Sequence, residues 1–217
     1  MSRRTALIAI SPVTSEQWGM ITAGQARRLG VSRQDLNRLL NDGSLAAVDL
    51  AARVYRLTGA PEDPDLDPLR AAWLQLGAAK SWVERTTATP DAIISHRSAA
   101  HLRGLGDLIP HEYDFYTTTR LRPRREDIKT RIRSHVAPES WEIWGGLPVR
   151  KVPAIIDDLL TDREDESAVA QIVSDALGLG LLSRESLDAI AAPHATAYGR
   201  SDPSSFARVL AGEVTGR

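Results

Sequence analysis

Cysteine is missing from the chain altogether. Its absence excludes disulfides, thiolate nucleophiles and cysteine-ligated zinc together, and fits an intracellular protein best. Long apolar runs are missing too. The stretch Ala6 to Ile10 is too short for a signal-peptide core, and no later segment approaches the roughly 20 apolar residues of a membrane span. The expected location is the cytoplasm, with no membrane partner. There is no Walker loop, Gly-x-Ser-x-Gly elbow or dinucleotide fingerprint, so no cofactor is expected. The histidines, His96, His101, His111, His135 and His194, form no metal signature. His96 and His101 are five apart, off the four-residue spacing that puts two ligands on one helical face. Internal repeats and low-complexity tracts are also lacking.

What is present is ordinary for a globular protein: 42% hydrophobic and 25% charged residues in a chain of 217. That length allows one or two domains, and two fit better because a compact signature occupies only the first quarter. The net charge of −1 hides an uneven distribution. Residues 1–60 carry eight arginines against four acids, and residues 161–217 carry five arginines against nine. A basic front end in a neutral chain argues for a local polyanion site.

The signature is QARRLGVSRQDLNRLLNDG, Gln25 to Gly43. Thr22 and Ser32 are N-caps, and Gly30 and Gly43 suit the left-handed position that closes a helix, so the spacing predicts helix, tight turn, helix. Leu36, Leu39 and Leu40 repeat at the spacing of a buried stripe, with Ala26, Leu29 and Val31 available to meet them. Gln34, Asn37, Arg38 and Asn41 repeat on the opposite side, with Arg33 beside them. Behind the second helix, Leu45 to Leu57 reads as a two-stranded hairpin turning around Ala51 to Arg53. That layout is a winged helix-turn-helix. Arginine reads guanine bidentately, and asparagine and glutamine pair with adenine. Arg33, Gln34, Asn37 and Arg38 therefore become candidate base readers, and Arg27, Arg28 and Arg53 candidate phosphate anchors.

Thr58 to Pro68, with three prolines and four acids, disfavours helix and strand alike. The division expected is a winged helix-turn-helix domain over 1–60, an acidic Pro-rich linker over 61–68 and a second domain over 69–217. From Leu69 an apolar stripe through Trp73, Leu76 and Ala79 to Val83 reads as one long helix. Mixed segments follow. DAIIS, EYDFYTTT, RIRSHVA and GLPVRKV read as strands, and HRSAAHLRGLG as a helix stopped by Gly104 and Gly106. From Pro153 the pattern turns helical, with caps expected at Ser167 and Ser183 and a final helix in SDPSSFARVLAGE. The fold class is α+β, a winged helix followed by a mixed α/β domain ending in helices.

Arg120 to His135 is a second basic stretch. Arg120, Arg122, Arg124, Arg125, Lys129, Arg131 and Arg133 stand against Glu126 and Asp127. It reads as a solvated loop, or as a further DNA or partner contact. Asp114 followed by Glu126-Asp127-Ile128-Lys129 resembles in outline the carboxylate and lysine pattern of metal-dependent nucleases. That is an enzymatic alternative to a reading that is otherwise non-enzymatic.

The N-terminal order ITAGQARRLGVSRQDLNRLLNDGSL closed by RVYRLTG resembles the winged-helix domain of AbiEi-type antitoxins, from the AbiE toxin–antitoxin systems of bacteria. ISHRSAAHLRGLG (Ile94 to Gly106), RIRSH and GLPVRKVPAIIDDLL (Gly146 to Leu160) are similar to that family's C-terminal signature. Together they cover most of residues 20–190. The resemblance implies a non-enzymatic antitoxin and autorepressor. It would bind inverted repeats in the double-stranded promoter DNA of its own operon and counter a nucleotidyltransferase-like toxin encoded next door, with or without direct contact. By position, the reading helix would be Ser32 to Asp42 and the wing Ser44 to Leu57. The family usually has glycine in the wing tip where this chain has Ala52 and Arg53. The stretch before Thr14 and the tail after Pro193 fall outside the pattern. The alternative without a toxin is a free-standing winged-helix regulator.

Overall fold

A computed structural model describes residues 1–213 except Ala88, Arg122 and Arg124. The protein is α+β and divides into two compact units. The first holds Met1–Ala92 and Thr118–Arg124; the second holds Ile93–Thr117 and Arg125 onward.

The first unit runs α1 (Arg3–Glu16), β1 (Met20–Thr22), α2 (Ala23–Arg28), α3 (Arg33–Asn41), β2 (Leu45–Ala47) and β3 (Val54–Leu57). This is the element order of a winged helix. The strands form an antiparallel sheet in the order β1-β3-β2, with Ile21 opposite Tyr55 and Leu45 opposite Leu57. Ala6 and Ile10 of α1 pack with Ile21, Ala26, Val31, Leu36, Leu39 and Leu45 in one core. The stretch before Thr14, which the sequence left unassigned, is therefore the first helix of this fold. It continues through Pro12 and buries Ala6, Ile10 and Thr14 at four-residue spacing.

The turn between α2 and α3 answers the Leu-Gly-Val-Ser sequence. Gly30 sits at φ +78°. Its N–H reaches Arg27 O at 3.1 Å, and that of Val31 reaches Ala26 O at 2.9 Å. These two bonds form the Schellman closure that glycine makes possible. Ser32 then opens α3 with a capping box shared with Asp35, as Thr22 opens α2 with Gln25.

The Pro-rich stretch expected to be a linker lies inside this unit. Asp67, in α4 (Asp67–Leu76), is buried and pairs with Arg56 of β3 and with Arg70. The single long helix expected from Leu69 is two, α4 and α5 (Trp82–Thr86). The break falls at Gly77, where a Cβ would stand 2.4 Å from Arg85 Nε. The intervening turn lies against the start of α2. Ala78 O accepts from Thr22 Oγ1, and Lys80 O accepts from Gln25 Nε2 at 2.7 Å. A Cβ on Gly24 would approach Ala78 O to 2.2 Å, so only glycine fits there. Arg85 is fully buried, stacked 3.5 Å over Trp73 and bound to Asp91 at 2.7 Å.

The second unit is built on a five-stranded sheet in the order β6-β5-β4-β8-β7. Its strands are β4 (Ala92–Ile94), β5 (Tyr113–Thr117), β6 (Ile128–Ile132), β7 (Trp141–Trp144) and β8 (Leu147–Arg150). β5 and β6 are parallel, with Asp114 opposite Lys129, whereas β7 and β8 form an antiparallel hairpin. β6 covers only the start of the expected strand RIRSHVA, and β7 was not expected. The helices are α6 (His96–Leu102), α7 (Val152–Thr161), α8 (Glu166–Gly178), α9 (Arg184–Ala191) and α10 (Pro203–Leu210). Ser183 caps α9 as expected. The cap of α8 is Asp165 rather than Ser167, and it accepts from the N–H groups of Ser167 and Ala168 at 3.0 and 3.2 Å. Asp158 of α7 is fully buried against Arg150 of β8, with Nε at 2.9 Å, and Tyr116 of β5, with Oη at 2.9 Å.

Candidate nucleic-acid interface

α3 separates two sets of residues. Asp35, Leu36 and Leu39 are buried, whereas Arg33, Gln34, Asn37, Arg38 and Asn41 are all exposed. The stripe of leucines sinks into the core and carries the outer face with it. Asp35 anchors the helix start, and the Ser32 hydroxyl with the terminal ammonium of Met1 holds its carboxyl down to about 2. Ser32 itself is committed to this cap, its Oγ 2.5 Å from Asp35 Oδ2. Arg38 lies 3.5 Å from Asp35 and is 59% exposed, so its guanidinium remains available.

The expected phosphate anchors differ among themselves. Arg27 is exposed and makes no side-chain bond among the described residues. Arg28 is held inside the first unit by Glu84 and by Ala79 O at 2.6 Å. Arg53 is exposed in the turn between β2 and β3, the wing. That turn has no glycine and instead places Leu50 at φ +58° and Arg53 at φ +65°. Leu50 is 83% exposed at the tip. Sequence reading missed this residue, since nothing in its spacing distinguishes it from a packed leucine.

No family model matches the chain, and no curated protein matches it. Among solved structures, the crystal structure of the RV2827C protein from Mycobacterium tuberculosis is similar at 15% identity. The match covers 99% of this chain and 83% of that one, with a TM-score of 0.49.

The second basic stretch is divided between the two units. Arg122 and Arg124 lie outside the described residues, and Arg120 is exposed in the first unit. In the second unit Arg125 pairs with Asp127 at 2.7 Å and stacks on Tyr113. Arg131 binds Asp114 at 2.6 Å and also Asp162. Arg133 lies over the Tyr116 ring, 3.5 Å from Asp158. Lys129 alone of these four has no ion pair among the described residues. The carboxylates of the nuclease outline are thus occupied: Asp114 faces Arg131, and Asp127 faces Arg125. Among the described residues no group of three or more histidines and acids could hold a metal ion.

Proposed function

We propose that this protein is a winged-helix DNA-binding regulator that reads double-stranded DNA through α3. The single observation that carries the reading is the exposed face of Arg33, Gln34, Asn37, Arg38 and Asn41 on a helix whose other side is locked in the core. Such a face presents forked donors to base edges in the major groove, and the wing with Arg53 lies next in the chain to meet the backbone. Binding is tested by footprinting the full chain on its own upstream region. Replacing Arg33 and Arg38 with alanine should remove sequence-specific protection, each bidentate contact being worth roughly 1–3 kcal/mol. Unchanged operator affinity in that double variant would overturn the reading.

The finer proposal is that the regulator is an antitoxin controlling its own operon. It rests on the AbiEi-like order of segments, which are tied together in the second unit. Arg103 of the first segment donates to Arg150 O of the third at 3.1 Å, and Arg133 of the second approaches Asp158 of the third. Co-expression with the adjacent gene tests it. Rescue of growth supports an antitoxin, and a harmless neighbour leaves a free-standing regulator.

A further inference from the structure

The second unit contains a cleft of about 290 Å³ between α6, β5, β6 and the segment after α7. Charged side chains dominate its walls, and its floor is His96, which is 2% exposed. The imidazole is fixed from below, Nδ1 lying 2.9 Å from Ser95 Oγ. Among the described residues Nε2 has only distant polar neighbours, Tyr116 Oη at 3.4 Å and an Asp162 oxygen at 3.5 Å. Both separations exceed those of a good hydrogen bond, so this nitrogen retains capacity for another partner.

Two further observations point to a ligand. His96 has φ +50° and Arg163 has φ +55°, and both line the cleft from separate segments. Among the described residues of this unit they are the non-glycine positions with left-handed backbone. Such backbone is strained for a residue with a Cβ, and strain of this kind collects at ligand sites. Arg163 follows the end of α7, where its N–H and that of Glu164 close the helix on Leu160 O and Leu159 O at 3.1 and 3.0 Å. Glycine would occupy that position at the lowest cost, yet arginine stands there.

The charges are also unequally engaged. Arg97 forks onto Glu164 at 2.5 and 2.8 Å, and Arg131 covers both Asp114 and Asp162. Lys129 and Arg163 remain without an ion pair among the described residues, against the exposed Glu112. Two cations around a neutral imidazole are suited to a tetrahedral oxyanion, each offering charge-assisted donors.

We propose that this cleft binds a small phosphate monoester, with Lys129 and Arg163 gripping the phosphate and His96 Nε2 donating from the floor. The site is independent of DNA reading by α3, so either proposal can fail alone. The volume falls at the small end of ligand pockets, about 300–1,000 Å³, which limits the ligand to roughly the size of a mononucleotide.

The test is calorimetric titration of the full chain with inorganic phosphate, adenosine 5′-monophosphate and adenosine. Saturable binding of the monophosphate, with adenosine inert, is expected. Inorganic phosphate binding as tightly as the ester would identify the free ion as the ligand and overturn the ester assignment. K129Q should weaken binding about tenfold, the worth of one charge-assisted contact. Arg163→Gly should weaken it similarly without lowering the melting temperature, because relief of left-handed strain at least offsets the chain entropy that glycine adds. A merely structural arginine would lose stability together with binding. Absence of saturable binding to either phosphate probe, equal binding of adenosine, or binding unchanged in both variants would overturn the site.

Discussion

Arg28 forks onto Glu84, its two terminal nitrogens 2.9 and 2.8 Å from the two carboxylate oxygens. The neighbouring Arg27 reaches out with no such partner. The pair raises the Arg28 guanidinium and, with the capping N–H of Ser81, holds Glu84 down to about 2. An arginine so committed has less to offer a phosphate. Arg27→Ala should therefore weaken DNA binding across all sequences and lower the salt slope by about one, and Arg28→Ala should do so less. Salt-dependent filter binding of both variants decides this, and equal slopes would refute it.

Asp67 tests the place of the Pro-rich stretch in the fold. It compensates Arg56, 8% exposed, and Arg70, 12% exposed, from a position that is itself 10% exposed. Removing one partner from a buried ion pair leaves charge without compensation, at a cost of about 3–5 kcal/mol. Urea unfolding of Asp67→Ala should show that loss in the first unit. A change near zero would mean that the stretch is a linker after all.

Acid should destabilise the second unit through His96. Burial, reinforced by Arg131, Arg133 and Lys129 of the β6 side and opposed by Asp162, pushes its imidazole down to about 3. The folded state favours neutral histidine, whereas the unfolded chain takes up a proton near 6.5. The stabilising contribution is complete above 6.5 and is lost as the pH falls toward 3. His96→Asn should thus lose less stability than the native chain between about pH 7.5 and about pH 4.5 in urea melts. Parallel losses in the two proteins would exclude His96 as the titrating group.

Leu50 gives a test of the wing. Replacing it with glycine removes left-handed strain of about 1–2 kcal/mol and adds about 0.5–1 kcal/mol of chain entropy, so stability should change little. Operator affinity should nevertheless fall, because an exposed apolar tip is the kind of side chain that wedges into a minor groove. Unaltered affinity would show that the tip stays clear of the duplex.

The parts legible in the sequence were those set by local rules. Gly30, Ser32 and the leucine spacing placed α2, the turn and α3, and the same spacing separated the outer face from the core. The parts that were not legible depend on distant partners. Pro12 disguised α1, whose buried face is only Ala6, Ile10 and Thr14. Asp67 read as a linker acid because Arg56, eleven residues away, is visible as its partner only once β3 is in place. The basic run read as a loop or an open patch because parallel pairing of β5 with β6, which brings Arg131 to Asp114, leaves no local signal. His96 lay within a segment noted for its family likeness, but nothing in the spacing revealed that it floors a cleft.

On α3, the buried Leu36 and Leu39 are distinct from the exposed positions, with half-buried Leu40 between them. Leu36 and Leu39 maintain the helix, and Arg33, Gln34, Asn37 and Asn41 can vary without disturbing them, while Arg38 also approaches buried Asp35. Under the proposed reading of DNA by α3, substitutions on that face would retune the target one residue at a time with little consequence for folding. Divergence between duplicated copies should begin at those exposed positions.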